Sequence, residues 1–154
     1  MSNPSRYPEP TVSAVIFNPE GKILLCKSAE WNNTYIIPGG HIELGEKMED
    51  ALQREIFEET GLEIFDIKLI GIQESIYSDH FTEKKHFIFI DFLCKTDSRA
   101  VTLNNEAEEY CWAAPEEILQ FDLGGYTRQL MSELLQGNSK YKTKIFYNYI
   151  HNLS

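Results

Sequence analysis

The order of apolar and polar positions divides the chain into strand-like and helix-like stretches. Residues 11–17 (TVSAVIF) and 22–27 (KILLCK) are aliphatic or β-branched runs, the composition of buried strands. Asn18-Pro19-Glu20-Gly21 lies between them, and its turn chemistry predicts a hairpin. Residues 31–35 (WNNTY) read as a polar loop with two aromatics, followed by Ile36-Ile37 and Pro38-Gly39-Gly40. Residues 47–60 predict a helix, and Gly61 stands where a left-handed C-terminal cap belongs. Residues 64–77 and 84–95 predict two long strands joined at Ser78-Asp79-His80. The second, KKHFIFIDFLCK, is apolar on both faces, so a central strand covered on both sides is expected. Residues 109–113 predict a short strand, 115–120 a short helix opened by proline, and 126–135 an amphipathic helix.

Residues 1–10 carry three prolines and read as an extended lead-in. One mixed α/β domain, with helices covering a sheet, is expected over 11–137. The basic and aromatic stretch 138–154 is a tail whose placement the pattern leaves open, between a packed terminal element and a mobile end.

Composition narrows the classes. A chain of 154 residues, 42% hydrophobic, is long enough to bury a core without disulfides or a structural metal. Cys26, Cys94 and Cys111 are odd in number and widely spaced, which predicts reduced core thiols. The formal charge of −10 repels phosphate backbones and argues against a general nucleic-acid binder. It still permits a small polyphosphate when divalent cations supply positive charge. No run approaches the about 18 apolar residues of a membrane span, and the first residues lack an apolar signal core. A cytoplasmic protein without membrane partners, monomer or homodimer, is the expectation.

The chemistry concentrates in GHIELGEKMEDALQREIFEETGL, residues 40–62, where seven acidic residues face two basic ones. A solvated helix face is the ordinary reading of such a run. Periodicity tests it. At about 100° per residue, with Glu55 at zero, Glu58 falls at about −60° and Glu59 at about +40°. Met48, Ala51, Leu52 and Ile56 fall on the same side, while Glu49, Asp50 and Gln53 point away. Phe57 lies on the otherwise polar side. Carboxylates stacked toward the core repel one another and lose hydration. Arg54 reaches Glu58 at i,i+4, but one guanidinium does not neutralise three carboxylates. A salt-bridge cluster and an oxygen-ligated divalent metal site both remain, and the metal neutralises the group more completely.

Gly40, Glu46 and Arg54-Glu55-Ile56-Phe57-Glu58-Glu59-Thr60-Gly61-Leu62 match the Nudix box at every defining position. The chain resembles the Nudix hydrolase (MutT-like) family over roughly residues 11–136. That resemblance implies a Nudix α/β/α sandwich with a mixed β-sheet between helices. It also implies hydrolysis of a nucleoside diphosphate linked to another group. Glu55, Glu58 and Glu59 match family positions that bind divalent metals, Mg²⁺ with Mn²⁺ as substitute, and Gly40 one whose carbonyl often joins them. Glu46 and Arg54 match positions that brace loop and helix. Lys47 falls where relatives often carry Ser or Thr, so the helix start is weakly capped.

Family members often add a glutamate from outside the box. Here Glu106 is preferred and Glu109 second, within NNEAEEYCW; an acidic surface loop is the plain alternative. The catalytic candidates are therefore Glu55, Glu58 and Glu106. For substrate binding, Trp31 and Tyr35 precede Pro38-Gly39-Gly40 and suit base stacking, or cap the core edge. Lys27 resembles a basic position near substrate phosphates, or faces solvent. His86 reads as a core or cleft-wall histidine. Tyr77, sixteen residues after Gly61, counts in this family against ADP-ribose and faintly for dinucleoside polyphosphates. The expected reaction is nucleoside triphosphate to monophosphate plus pyrophosphate. The alternatives are a dinucleoside polyphosphate or nucleotide-sugar hydrolase, or a non-catalytic nucleotide sensor, which normally lacks box glutamates.

Overall fold

The computed structural model describes residues 6–136. Its elements run β1 (Glu9–Phe17), β2 (Ile23–Ser28), β3 (Thr34–Ile36), β4 (Gly39–His41), α1 (Met48–Thr60), β5 (Phe65–Ile76), β6 (His86–Lys95), β7 (Glu109–Ala113) and α2 (Gly125–Leu135). The sheet has the order β3-β2-β1-β6-β5, with β4 joined to β1 and β7 to β2. β1 runs parallel to β6 along its whole length, from Glu9↔Phe87 to Phe17↔Lys95. The other pairings are antiparallel, so the sheet is mixed as expected.

The expected hairpin forms only at its turn. Asn18 Oδ1 accepts the backbone N–H groups of Glu20 and Lys22 at 2.9 and 3.0 Å. Beyond the single pair Phe17↔Ile23, the strands diverge, β1 toward β4 and β6, β2 toward β3 and β7. Turn chemistry names the reversal; it does not name the neighbours of strands apolar on both faces. This divergence opens the cleft described below.

Three other expectations shift. Residues 31–35 are no loop: a 3₁₀ turn (Ala29–Trp31) leads through Asn32 and Asn33 into β3. Both asparagines have positive φ, 55° and 59°, a region Asn tolerates better than most residues. At 115–120 only Ile118–Gln120 winds, again as a 3₁₀ turn. β1 begins at Glu9, inside the stretch read as a lead-in. The tail expected over 138–154 lies outside the described residues.

Apolar side chains split between two cores, one per sheet face. Ala51, Leu52 and Ile56 of α1 pack on Val12, Ala14, Ile16 and Phe92. On the other face, Tyr126, Leu130 and Met131 of α2 pack with Val15, Leu25, Phe87 and Phe89. Helix α1 starts at Lys47, whose side chain makes no cap bond, and ends at Gly61 with φ 72° and its N–H on Phe57 O. Phe57 is exposed, as its position on the polar side of the wheel implies. β6 lies inside the sheet, although Ile88 and Ile90 on its α1 face are only half-buried. The three cysteines are free, two of them buried. No helix among the described residues is long and apolar enough to cross a membrane.

Candidate active site

Where β1 and β2 separate, a cleft of about 320 Å³ runs between the two sheet faces. Its first end is charged. Glu55 and Glu59, one helical step apart on α1, and Glu106, from the loop before β7, bring carboxylate oxygens within 4.8 Å of one another. Glu59 is largely enclosed and accepts the Gly39 N–H at 3.2 Å. Burial, then the Glu106 and Glu55 carboxylates, push its acid up to about 10. Glu55 is also raised, first by burial. Such a group resists carrying its full negative charge unless a cation joins it.

The donor set fits a hard divalent cation. Three carboxylates converge, and hard cations take oxygen ligands. Gly40 passes so close that a Cβ there would collide with the Glu55 carboxylate. Only glycine leaves that approach open.

Arg54 braces this end. It donates Nε and Nη2 to Glu46 at 2.7 and 2.9 Å, Nη1 to Glu55 at 2.9 Å, and Nη2 to the His41 carbonyl at 3.0 Å. That bidentate pairing holds the Glu46 carboxyl down to about 2. Glu46 in turn accepts the Glu43 N–H at 3.0 Å. The loop before α1 is thus tied to the helix by a charge-assisted fork.

Glu58 stands apart from the cluster. It is more than half exposed and accepts Arg54 Nη1 at 3.3 Å. The wheel places Glu58 on the cluster's side, on the far flank of Glu55 from Glu59, but the ion pair with Arg54 at i,i+4 draws it outward. Two box glutamates, Glu55 and Glu59, line the cleft, and the third does not.

The cleft's other end is aromatic. Trp31 is buried against Phe81 and Tyr126, ring centroids 4.7 and 5.0 Å apart, with Phe87 and Phe89 behind. Its ring lines the cleft as part of the core. Tyr35 turns elsewhere, donating its hydroxyl to Glu109 at 3.0 Å and meeting Phe121 edge-on. Lys27 pairs with the same Glu109 at 3.2 Å. Neither Tyr35 nor Lys27 lines the cleft, and Glu109 is occupied by both. Tyr77 is exposed, with Lys84 over its ring at 4.6 Å, and His86 meets Glu74 at 3.1 Å on the surface.

Sequence reasoning missed Thr11, Phe81, Lys85, Phe87 and Tyr126 as cleft walls. They come from four separate segments, and no local spacing joins them. Cys26 also lines the cleft, and burial pushes its thiol up to about 12, which disfavours the thiolate a nucleophile needs.

Comparisons with known proteins agree with this geometry. The NUDIX domain family model matches residues 7–134. Nucleoside triphosphatase NudI of Escherichia fergusonii is 31% identical over 132 residues, 79% of this chain and 94% of that protein. NudI of Escherichia coli K12 is 31% identical, again over 79% of the chain. The crystal structure of a MutT protein from Methanosarcina mazei superposes with a TM-score of 0.72 at 27% identity, covering 88% of this chain and 99% of that one. The NUDIX domain of Shewanella oneidensis NrtR, in complex with ADP ribose, shares the fold at TM-score 0.71 and 18% identity. With its glutamate cleft, its braced helix and its mixed sheet, the chain belongs to the Nudix family and is a hydrolase of phosphoric anhydride bonds.

Proposed function

We propose that this protein hydrolyses a nucleoside triphosphate to the monophosphate and pyrophosphate, with Mg²⁺ or Mn²⁺ as cofactor. The observation that carries the reading is one cleft with three convergent carboxylates at one end and an aromatic wall at the other. Relatives of matching length named nucleoside triphosphatase support it.

Glu55, Glu59 and Glu106, with the Gly40 carbonyl, would hold the cation, and Glu58 would join them. A divalent cation bound there neutralises anhydride oxygens and lowers the pKa of a bound water. The chain's own groups do the rest. Arg54 fixes Glu55 in orientation, so the ligand geometry is set before substrate arrives. Glu106, on the open side of the cluster, accepts the proton as water attacks phosphorus and the bridging P–O bond breaks; Glu58 is the second candidate for that role. Pyrophosphate leaves toward solvent. The aromatic wall seats the base by apolar contact, sequence-tolerant in strength.

A nucleotide-panel assay in Mg²⁺, scoring pyrophosphate and orthophosphate separately, tests the reading. Equal amounts of monophosphate and pyrophosphate are expected. Orthophosphate from triphosphates, or activity restricted to dinucleoside polyphosphates or nucleotide sugars, would replace it.

A further inference from the structure

Lys85 is the one lysine or arginine among the described residues that line the cleft. It ends the connection between β5 and β6, which folds over the aromatic wall. That connection is latched to the 3₁₀ turn of Trp31 by two hydrogen bonds. Asn32 Nδ2 donates to the Asp79 carbonyl, and the Thr82 N–H donates to the Glu30 carbonyl, both at 2.9 Å. The latch sets Phe81 on Trp31 and brings Lys85 to the aromatic end.

Two polar groups there face the cavity with capacity to spare. Thr11 is 5% exposed, lines the cleft, and its hydroxyl has no hydrogen-bond partner among the described residues. Lys85 Nζ meets Glu9 at 3.2 Å, which leaves donors free, since an ammonium carries three. Of the nearby Glu9 carboxylate, Oε1 meets His41 Nε2 at 3.0 Å, while Oε2, 3.2 Å from Lys85 Nζ, has no hydrogen-bond partner among the described residues. A ligand entering this end therefore meets an ammonium and a hydroxyl beside the open Glu9 oxygen, with Glu83, 3.9 Å from Lys85 Nζ, on the same wall.

We infer that Lys85, assisted by Thr11, selects nucleobases that present a carbonyl oxygen at the O6 or O4 position, guanine and uracil or thymine, over adenine and cytosine, which carry an amino group there. Guanine O6 and the O4 of uracil or thymine accept hydrogen bonds, whereas adenine N6 and cytosine N4 are donors at the same edge. An ammonium facing an amino group forms no bond, and the donor turned toward the base is left unmet. The inference rests on the proposed nucleotide reading, with the base at the aromatic end because the phosphates belong with the carboxylates.

The test compares GTP, UTP, ATP and CTP hydrolysis in Mg²⁺ by wild type, Lys85→Met, Lys85→Arg and Thr11→Val. Wild type should prefer GTP and UTP. Lys85→Met should lower kcat/KM for those two by about ten- to a hundredfold, mainly through KM, and change ATP and CTP by less than about threefold. Lys85→Arg should keep most of the preference, and Thr11→Val should lose part of it. An equal loss on all four bases would place Lys85 on phosphate or ribose and overturn the inference, as would no loss at all. Calorimetric binding of GMP, UMP, AMP and CMP to the same variants separates the two claims. Selective binding without triphosphate hydrolysis would sink the reaction and keep the base selection. Hydrolysis without selectivity would do the opposite.

Discussion

The two ends of the cleft are built in opposite ways. The carboxylate end comes almost entirely from residues 40–59, one tight strand and the helix after it, with Glu106 added from a loop. The aromatic end is collected from β1, the 3₁₀ turn, the β5–β6 connection, β6 and α2. Energetically they also differ. Like charges in a poorly hydrated place destabilise the first end, while buried aromatic contacts stabilise the second. Chemistry of fixed geometry is written in local spacing; recognition is assembled from distant segments.

The difference predicts how each end fails. Glu55→Gln should cut kcat by about a thousandfold while the melting temperature in EDTA holds or rises, because a neutral amide replaces an acid where charge is disfavoured. Activity within tenfold of wild type would contradict the placement of Glu55. Trp31→Ala should fail the other way. Removing a buried ring from an aromatic cluster costs about 3–5 kcal/mol of stability, readable by urea denaturation. If the variant stays as stable as wild type and loses only substrate affinity, Trp31 belongs to the ligand rather than the core.

The same contrast governs what was readable in the sequence. Glu55 and Glu59, with Arg54 beside them, were legible because a helix repeats every 3.6 residues and converts spacing into direction, whereas Gly40 and Glu46, outside α1, were legible only through resemblance. That rule also put Glu58 on the cluster's side, yet the neighbouring Arg54 draws it outward, a competition the wheel does not weigh. Glu106 was legible only through resemblance. Tyr35 was placed near the cleft because it is close to Gly40 in sequence, and Lys27 because it resembles a basic family position near substrate phosphates. Their strand positions pair them at Lys27↔Tyr35 and turn both toward Glu109. Alternation along a strand, two residues per repeat, sends neighbours to opposite faces, and nothing local says which face holds the cleft. Lys85 was invisible for the same reason.

A smaller effect comes from a buried acid at the aromatic side. Asp91 of β6 lies in step with Phe87 and Phe89, fully buried, and accepts Gln73 Nε2 at 2.7 Å. Burial pushes its acid from 3.8 up to about 6, against the Gln73 and Ser13 hydrogen bonds. The folded state therefore binds the proton more tightly than the unfolded one, so stability falls as pH rises from about 4 to about 6 and is level above. Asp91→Asn should remove that slope and gain up to about 3 kcal/mol at pH 7, measured by denaturation across the range. An unchanged slope would show that Asp91 does not titrate there. The least effect is expected at Lys27→Ala. Its exposed pair with Glu109 is screened by solvent and contributes little, and KM should move by less than about twofold. A tenfold rise in KM would return Lys27 to the phosphate path.

The most direct test of the carboxylate end is a Mn²⁺ titration followed by electron paramagnetic resonance, on wild type and on Glu59→Gln with matched circular dichroism. The cluster should capture Mn²⁺ in wild type without nucleotide, and the amide variant should weaken that binding by about tenfold or more. Equal Mn²⁺ affinity in the two proteins would mean that Glu55, Glu59 and Glu106 are not the metal's seat.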